Sequence, residues 1–155
     1  MIKKILLSPW TVVLLRVLIA GVFIYAGATK IANPRAFADS IASFRMLPSE
    51  LINVIALGLP VFEAMLGVFL LMGKWKRQAA FVILLMSLAF CIIIIQALVR
   101  GLEVNCGCFG AGATSQWDVW LSLGRDVLLV FLVWWLYVRM LWAENKKSFL
   151  LAPEA

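Results

Sequence analysis

Ala79–Val99 reads AAFVILLMSLAFCIIIIQALV, a run without one charged residue. At 1.5 Å of helix rise per residue it covers the ~30 Å of a bilayer's hydrocarbon core, and an apolar stretch of this length indicates a transmembrane helix. Three more such runs lie around it, at about 11–28, 52–72 and 120–142. The fold class expected is therefore all-α: an integral membrane four-helix bundle forming one domain over residues 1–155.

Composition agrees. The chain is 65% hydrophobic and 14% charged, whereas soluble domains are about half apolar and about a quarter charged. A soluble fold this small cannot hide so much hydrocarbon, so the bilayer must act as solvent. The first run follows Lys3 and Lys4 and ends at Ala26-Gly27-Ala28. That arrangement also fits a cleaved signal peptide, but the run is longer than most signal cores and is read as a span. The net charge of +6 does not indicate nucleic acid, because the basic residues flank apolar runs and form no stripe interleaved with aromatics. No internal repeat stands out.

The polar interval from Lys30 to Glu50 contains Pro34 and Pro48. Phe37, Ile41 and Phe44 within it have the spacing of a short amphipathic helix, which is expected to lie at the membrane surface or to cap the bundle. Pro60, inside the second run, is expected to kink its helix.

Loop charge sets the expected orientation. Both termini of a four-span chain lie on one side, which collects Lys3, Lys4, Lys74, Lys76, Arg77, Arg139, Lys146 and Lys147. The other side collects Lys30, Arg35, Arg45, Arg100 and Arg125. The positive-inside rule then puts both termini in the cytoplasm of a bacterial inner membrane, with the loop at 100–116 facing outward. Trp120 and Trp142 are about 33 Å apart along a helix, matching two interfacial belts.

The outward loop carries Asn105-Cys106-Gly107-Cys108-Phe109-Gly110. Two thiols separated by one glycine can close a very small ring, which is strained and so easily reduced. As a static staple it would contribute little, since a one-residue ring removes little chain entropy. Redox exchange is the favoured reading, and disulfides persist on that side of the membrane. Cys91, mid-span, reads as a packing residue. With no histidine and three cysteines in the chain, no resident metal is expected.

Polar groups inside spans are costly and need an account. Measured from one boundary, Arg16 lies about 12 Å deep and Glu63 about 14 Å at 1.5 Å per residue. They are level enough to pair across two helices. Two readings stay open for them, a structural ion pair and a proton relay or quinone-headgroup contact. Lys30, Gln96, Arg125 and Asp126 gather at the outer end. There Lys30 and Arg125 can lower a thiol pKa at Cys106 or Cys108, or reach to lipid headgroups.

Gly27-Ala28-Thr29-Lys30 with Pro34 and Phe37, Leu47-Pro48, Pro60 with Glu63, Arg100-Gly101, Cys106-Gly107-Cys108-Phe109-Gly110 and Arg125-Asp126 together resemble the MauE branch of the DoxX-like membrane proteins. The likeness runs from the first span to the start of the fourth, and the CGCFG segment is its most specific part. It implies a four-helix bundle, with Cys106 and Cys108 as the redox pair and Lys30, Glu63 and Arg125 as supporting polar positions. It also implies a link to methylamine utilisation, through maturation of a disulfide-rich dehydrogenase subunit. Disulfide-generating membrane proteins of the DsbB and vitamin K epoxide reductase types use two cysteine pairs. This chain has one, which excludes an internal relay.

Three functions follow as expectations. The first is thiol–disulfide exchange with an extracytoplasmic thioredoxin-like partner or disulfide-containing client, with a quinone as a candidate electron carrier. The second is a non-catalytic membrane assembly or maturation factor. The third is a transporter of a small sulfur compound or metabolite, weakened by the lack of an inverted repeat unless the chain forms a homodimer.

Overall fold

The computed structural model describes the backbone of residues 9–102 and 116–150 and the side chains of 10–102 and 119–142. Five helices follow one another: α1 Pro9–Ala32, α2 Pro34–Ser43, α3 Ser49–Met72, α4 Lys76–Val99 and α5 Gln116–Leu150. Four of them, α1, α3, α4 and α5, are long and apolar enough to cross a membrane, and the described residues hold no strand. The chain is thus an all-α, multi-pass membrane protein with one additional short helix.

Local chemistry fixes the ends. Pro34 has no N–H and pushes Asn33 out of the helical region (φ −132°, ψ 67°), which separates α1 from α2. Gly73 closes α3 in the left-handed conformation at φ 77°. Helix α4 closes on Arg100 and Gly101, the latter at φ 66°. There Leu102 N–H donates to the Ala97 carbonyl at 3.0 Å and Gly101 N–H to that of Leu98 at 3.0 Å. This is the paired closure of a Schellman motif, and Leu102 adds its apolar contact against Ile94 and Ala97.

The spans surround a shared interior in the order α1, α3, α4, α5 and back to α1, with α2 lying on α3 and α1. The α1–α3 pair is the closest. A Cβ added at Gly27 would lie 2.7 Å from the Pro60 carbonyl oxygen, and one at Gly67 would lie 2.9 Å from that of Ala20. Small residues let helix backbones approach where lipid offers no hydrophobic drive to associate. Helix α3 continues through Pro60, whose carbonyl packs against α1 at Gly27.

The surface is inverted relative to a soluble protein. Leu14, Leu57, Phe62, Ile92, Leu121 and Phe131 are exposed, while Lys30, Glu63, Ser87 and Asp126 are buried. Large apolar side chains turned outward, with the costly charged groups turned inward among an otherwise apolar core, are the arrangement a hydrocarbon solvent selects.

One boundary differs from the sequence reading. The first span was expected to stop at Ala28, ahead of the charge on Lys30, yet α1 stays helical to Ala32. Lys30 does not face water or headgroups; it turns inward to a carboxylate. Over Phe37, Ile41 and Phe44 the amphipathic spacing does mark a real helix, α2. Phe37 is buried beneath it, and Phe44 packs on the Ile94, Ala97 and Val119 cluster.

Candidate functional site in the bundle interior

The buried positions recur at three, four or seven residues, the spacings that keep one seam of each helix facing its neighbours. On α1 these positions are Ala20, Phe23, Gly27 and Lys30, and on α3 Ala56, Pro60, Glu63, Gly67 and Leu70. On α4 they are Ala80, Ile83, Ser87, Cys91, Ile94 and Ala97, and on α5 Val119, Asp126, Val133, Leu136 and Met140. Each helix therefore places one polar side chain at a core position of its own seam: Lys30, Glu63, Ser87 and Asp126. Together these four form a polar layer inside the bundle.

Lys30 and Glu63 make the central contact. The Lys30 ammonium donates to both carboxylate oxygens of Glu63, at 2.9 Å to Oε1 and 2.7 Å to Oε2, and both side chains are almost wholly buried. Their approach follows from helix geometry. Side chains lean toward the N-terminus of their own helix. With α1 and α3 antiparallel, Lys30 leans down its helix and Glu63 leans up to meet it. The ammonium also lies over the rings of Phe37 (4.9 Å to the centroid) and Phe90 (5.3 Å). A carboxylate and two aromatic faces thus form a cage around one primary ammonium.

The second pair is Arg125 with Asp126, whose Oδ1 accepts from Arg125 Nε at 3.1 Å and Nη2 at 2.9 Å. Asp126 is buried, and Arg125 lies at the edge, with about 29% of its side chain exposed. In their ionised forms the four groups sum to zero charge, which is the state least costly to hold in hydrocarbon.

A cavity of about 50 Å³ lies among these groups, lined by Lys30, Glu63, Ser87, Phe90, Arg125 and Asp126, with Val22, Ala26 and Leu129 at the α1–α5 seam. Such a volume holds a few waters at ~10–15 Å³ each. Small-molecule pockets are several-fold larger, at about 300 Å³ or more.

A model of the family described as methylamine utilisation protein MauE matches residues 8–139 of the chain. The methylamine utilization protein MauE of Paracoccus denitrificans is similar, with 31% identity over 128 residues that cover 82% of this chain and 68% of that protein. No solved structure matches. The chain belongs to the MauE family.

In this MauE-family protein the polar residues singled out from the sequence part into three groups. Lys30, Glu63, Arg125 and Asp126 come together around the cavity. Gln96 does not join them; it is exposed on α4, and its carbonyl accepts the Arg100 N–H at 3.1 Å in the helix closure. Arg16 does not pair with Glu63. It lies beside Gly73 at the far end of α3, with Nη1 3.4 Å from where a Cβ would stand. The expected pairing is replaced by Lys30–Glu63 because the Gly27–Pro60 and Gly67–Ala20 contacts set the α1–α3 register. Cys91 is buried at its seam position, as a packing residue should be. Cys106 and Cys108 lie outside the described residues.

The Lys30 ammonium is engaged by Glu63 and two aromatic rings. Ser87 and Phe90 were not singled out from the sequence. The signal for Ser87 was present, since it is the hydroxyl residue within the uncharged 79–99 run and falls on the Ala80, Ile83, Cys91 and Ile94 seam. Phe90 had no such signal, because a phenylalanine in a span is ordinarily lipid-facing or core.

Proposed function

We propose that this MauE-family protein takes part in thiol–disulfide exchange outside the cytoplasm, in the methylamine utilisation setting that its relative's name states. One observation carries the proposal. The Cys106-Gly107-Cys108 segment lies in the connection between the α4 closure at Leu102 and the start of α5 at Gln116. Those are the two helices that supply Ser87 and Asp126 to the polar layer, and between layer and loop they bury Cys91 and the small cluster of Ile94, Ala97 and Val119.

The exchange is balanced within the two proteins. A thiolate of the Cys106–Cys108 pair attacks a disulfide sulfur of the partner and forms a mixed disulfide, and one partner thiolate leaves. The second thiol of the pair then displaces the other partner sulfur. The partner departs as a dithiol and the pair remains as a disulfide; the reverse direction uses the same steps. The partner proposed is an extracytoplasmic thioredoxin-like protein or a client that carries disulfides. The exchange as written needs no electron carrier beyond the two proteins. Basic residues concentrated at the termini and at Lys74–Arg77 favour cytoplasmic termini and an outward cysteine loop.

The test is to trap the exchange. Removal of the resolving cysteine leaves the mixed disulfide without its second step, so one of Cys106→Ser and Cys108→Ser should accumulate a reductant-sensitive adduct with the partner, and the other should not. A non-catalytic assembly factor gives no adduct from either variant and normal client maturation with both cysteines replaced. That second result would refute the exchange reading.

A further inference from the structure

At the end of the bundle away from the cysteine loop, α3 closes on Gly73, and the turn Gly73-Lys74-Trp75 leads into Lys76 and Arg77 of α4. Arg16, within the α1 span, lays its guanidinium along Gly73. A Cβ there would be 3.4 Å from Nη1 and 4.0 Å from Nη2. Its Nε is buried and has no hydrogen-bond partner among the described residues.

Among the described residues no carboxylate pairs with Arg16. Asp39 and Glu50 belong to α2 and the start of α3, and Glu63 and Asp126 belong to the polar layer. Helix α4 also begins with no acidic residue in its first turn and no side-chain cap, so its dipole adds to the positive potential.

We propose that Arg16 and the α3–α4 turn form a binding site for the phosphate of an anionic phospholipid headgroup. The surroundings favour a lipid over a free anion. Trp10, Trp75 and Trp142 are exposed near this end, as in an interfacial aromatic belt, and Met72 beside them is also exposed. A phospholipid can place its phosphate on Arg16 and Lys74 or Lys76 while its acyl chains lie along the apolar surface of α1 and α3. Inorganic phosphate has no such second contact. Basic recesses between transmembrane helices bind acidic headgroups in this manner.

The test is thermal unfolding of the delipidated full-length protein in detergent, with added phosphatidylglycerol, phosphatidylcholine or inorganic phosphate at equal concentration. Phosphatidylglycerol should raise the midpoint and the other two should not. Arg16→Gln should abolish the rise, and Arg35→Gln, exposed at the opposite end of the bundle, should retain it. Should Arg16→Gln not fold, the Lys74→Gln, Lys76→Gln double variant decides. Its apparent affinity for phosphatidylglycerol should fall about fivefold per charge, equivalent to roughly 1 kcal/mol each. An unchanged rise in that double variant, or an equal rise with phosphatidylcholine or inorganic phosphate, overturns the proposal.

Discussion

The two halves of the bundle use the same seams to different ends. Toward the α3–α4 turn, the interior is filled by Ile19, Ala20, Phe23, Leu66, Leu70, Ile83, Val133, Leu136 and Met140, packed as one apolar cluster. Farther toward the α4–α5 connection those positions pass to Lys30, in the last turn of α1, and to Glu63, Ser87 and Asp126. The first half derives its cohesion from shape, since lipid tails are as apolar as leucine and only close packing distinguishes one apolar neighbour from another. The second half derives its cohesion from charge, which has no alternative partner in hydrocarbon. A bundle stabilised by packing alone has no need of the second half, and this is why the polar layer is the candidate site.

The largest effect expected is on the central pair. Lys30→Leu or Glu63→Leu alone leaves one charge buried and unmatched, at a cost of about 3–5 kcal/mol. The double variant removes both charges and should recover most of that stability. Thermal unfolding of the three variants in detergent measures the coupling. Additive losses would mean that the pair does not hold the two halves in register. A double variant that is stable but no longer supports client maturation would place the layer in function as well as in folding.

The apolar half should respond through volume. Leu70→Ala, at a fully buried position, should cost about 2–5 kcal/mol according to how far the site collapses, and it has no single partner change that rescues it. That contrast with Lys30 and Glu63 separates packing from charge. If one compensating substitution restored Leu70→Ala as fully as the double variant restores the pair, the distinction between the halves would fail.

These halves were not equally legible. Span number and approximate ends could be read because length and apolarity are local properties, and Ala79–Val99 alone met the bilayer's requirement. The polar layer depends on register between helices, which is not local. Counting depth from an assumed boundary put Arg16 opposite Glu63. The observed register is set by close contacts at Gly27 and Gly67, where added Cβ atoms would meet the backbone of Pro60 and Ala20. Lys30 looked like the end of a span because a charge usually is one, and its reach back to Glu63 needs the side-chain direction as well as the position. A seam reading of α4 would have found Ser87.

Gly27 joins the two halves of the comparison, because it is the contact that keeps Lys30 opposite Glu63. Gly27→Ala forces a methyl to within 2.7 Å of the Pro60 carbonyl oxygen, and overpacking of this kind costs about 1–3 kcal/mol. Gly21, on the same helix, has nothing within 4 Å. Gly21→Ala should therefore be neutral or slightly stabilising, because alanine is the better helix former by up to about 1 kcal/mol. Equal losses at both positions, measured by unfolding, would show that helix propensity and not the α1–α3 contact is being sensed.

The smallest effect belongs to Ser87, and it is the one that tells structure from function in the layer. Ser87 lines the cavity from α4, and it carries no charge that must be balanced. Even hydrogen bonds between transmembrane helices average only about 0.6 kcal/mol, so Ser87→Ala should barely move the unfolding midpoint. If the layer only holds the helices together, client maturation should be unchanged too. If the cavity and its waters serve the exchange in the α4–α5 connection, Ser87→Ala should slow maturation with stability preserved, and Ser87→Thr, which keeps a hydroxyl at the same position, should restore the rate. Failure of Ser87→Thr to rescue a slow Ser87→Ala variant, with both stable, would argue that cavity shape and not the hydroxyl is what the α4 seam contributes.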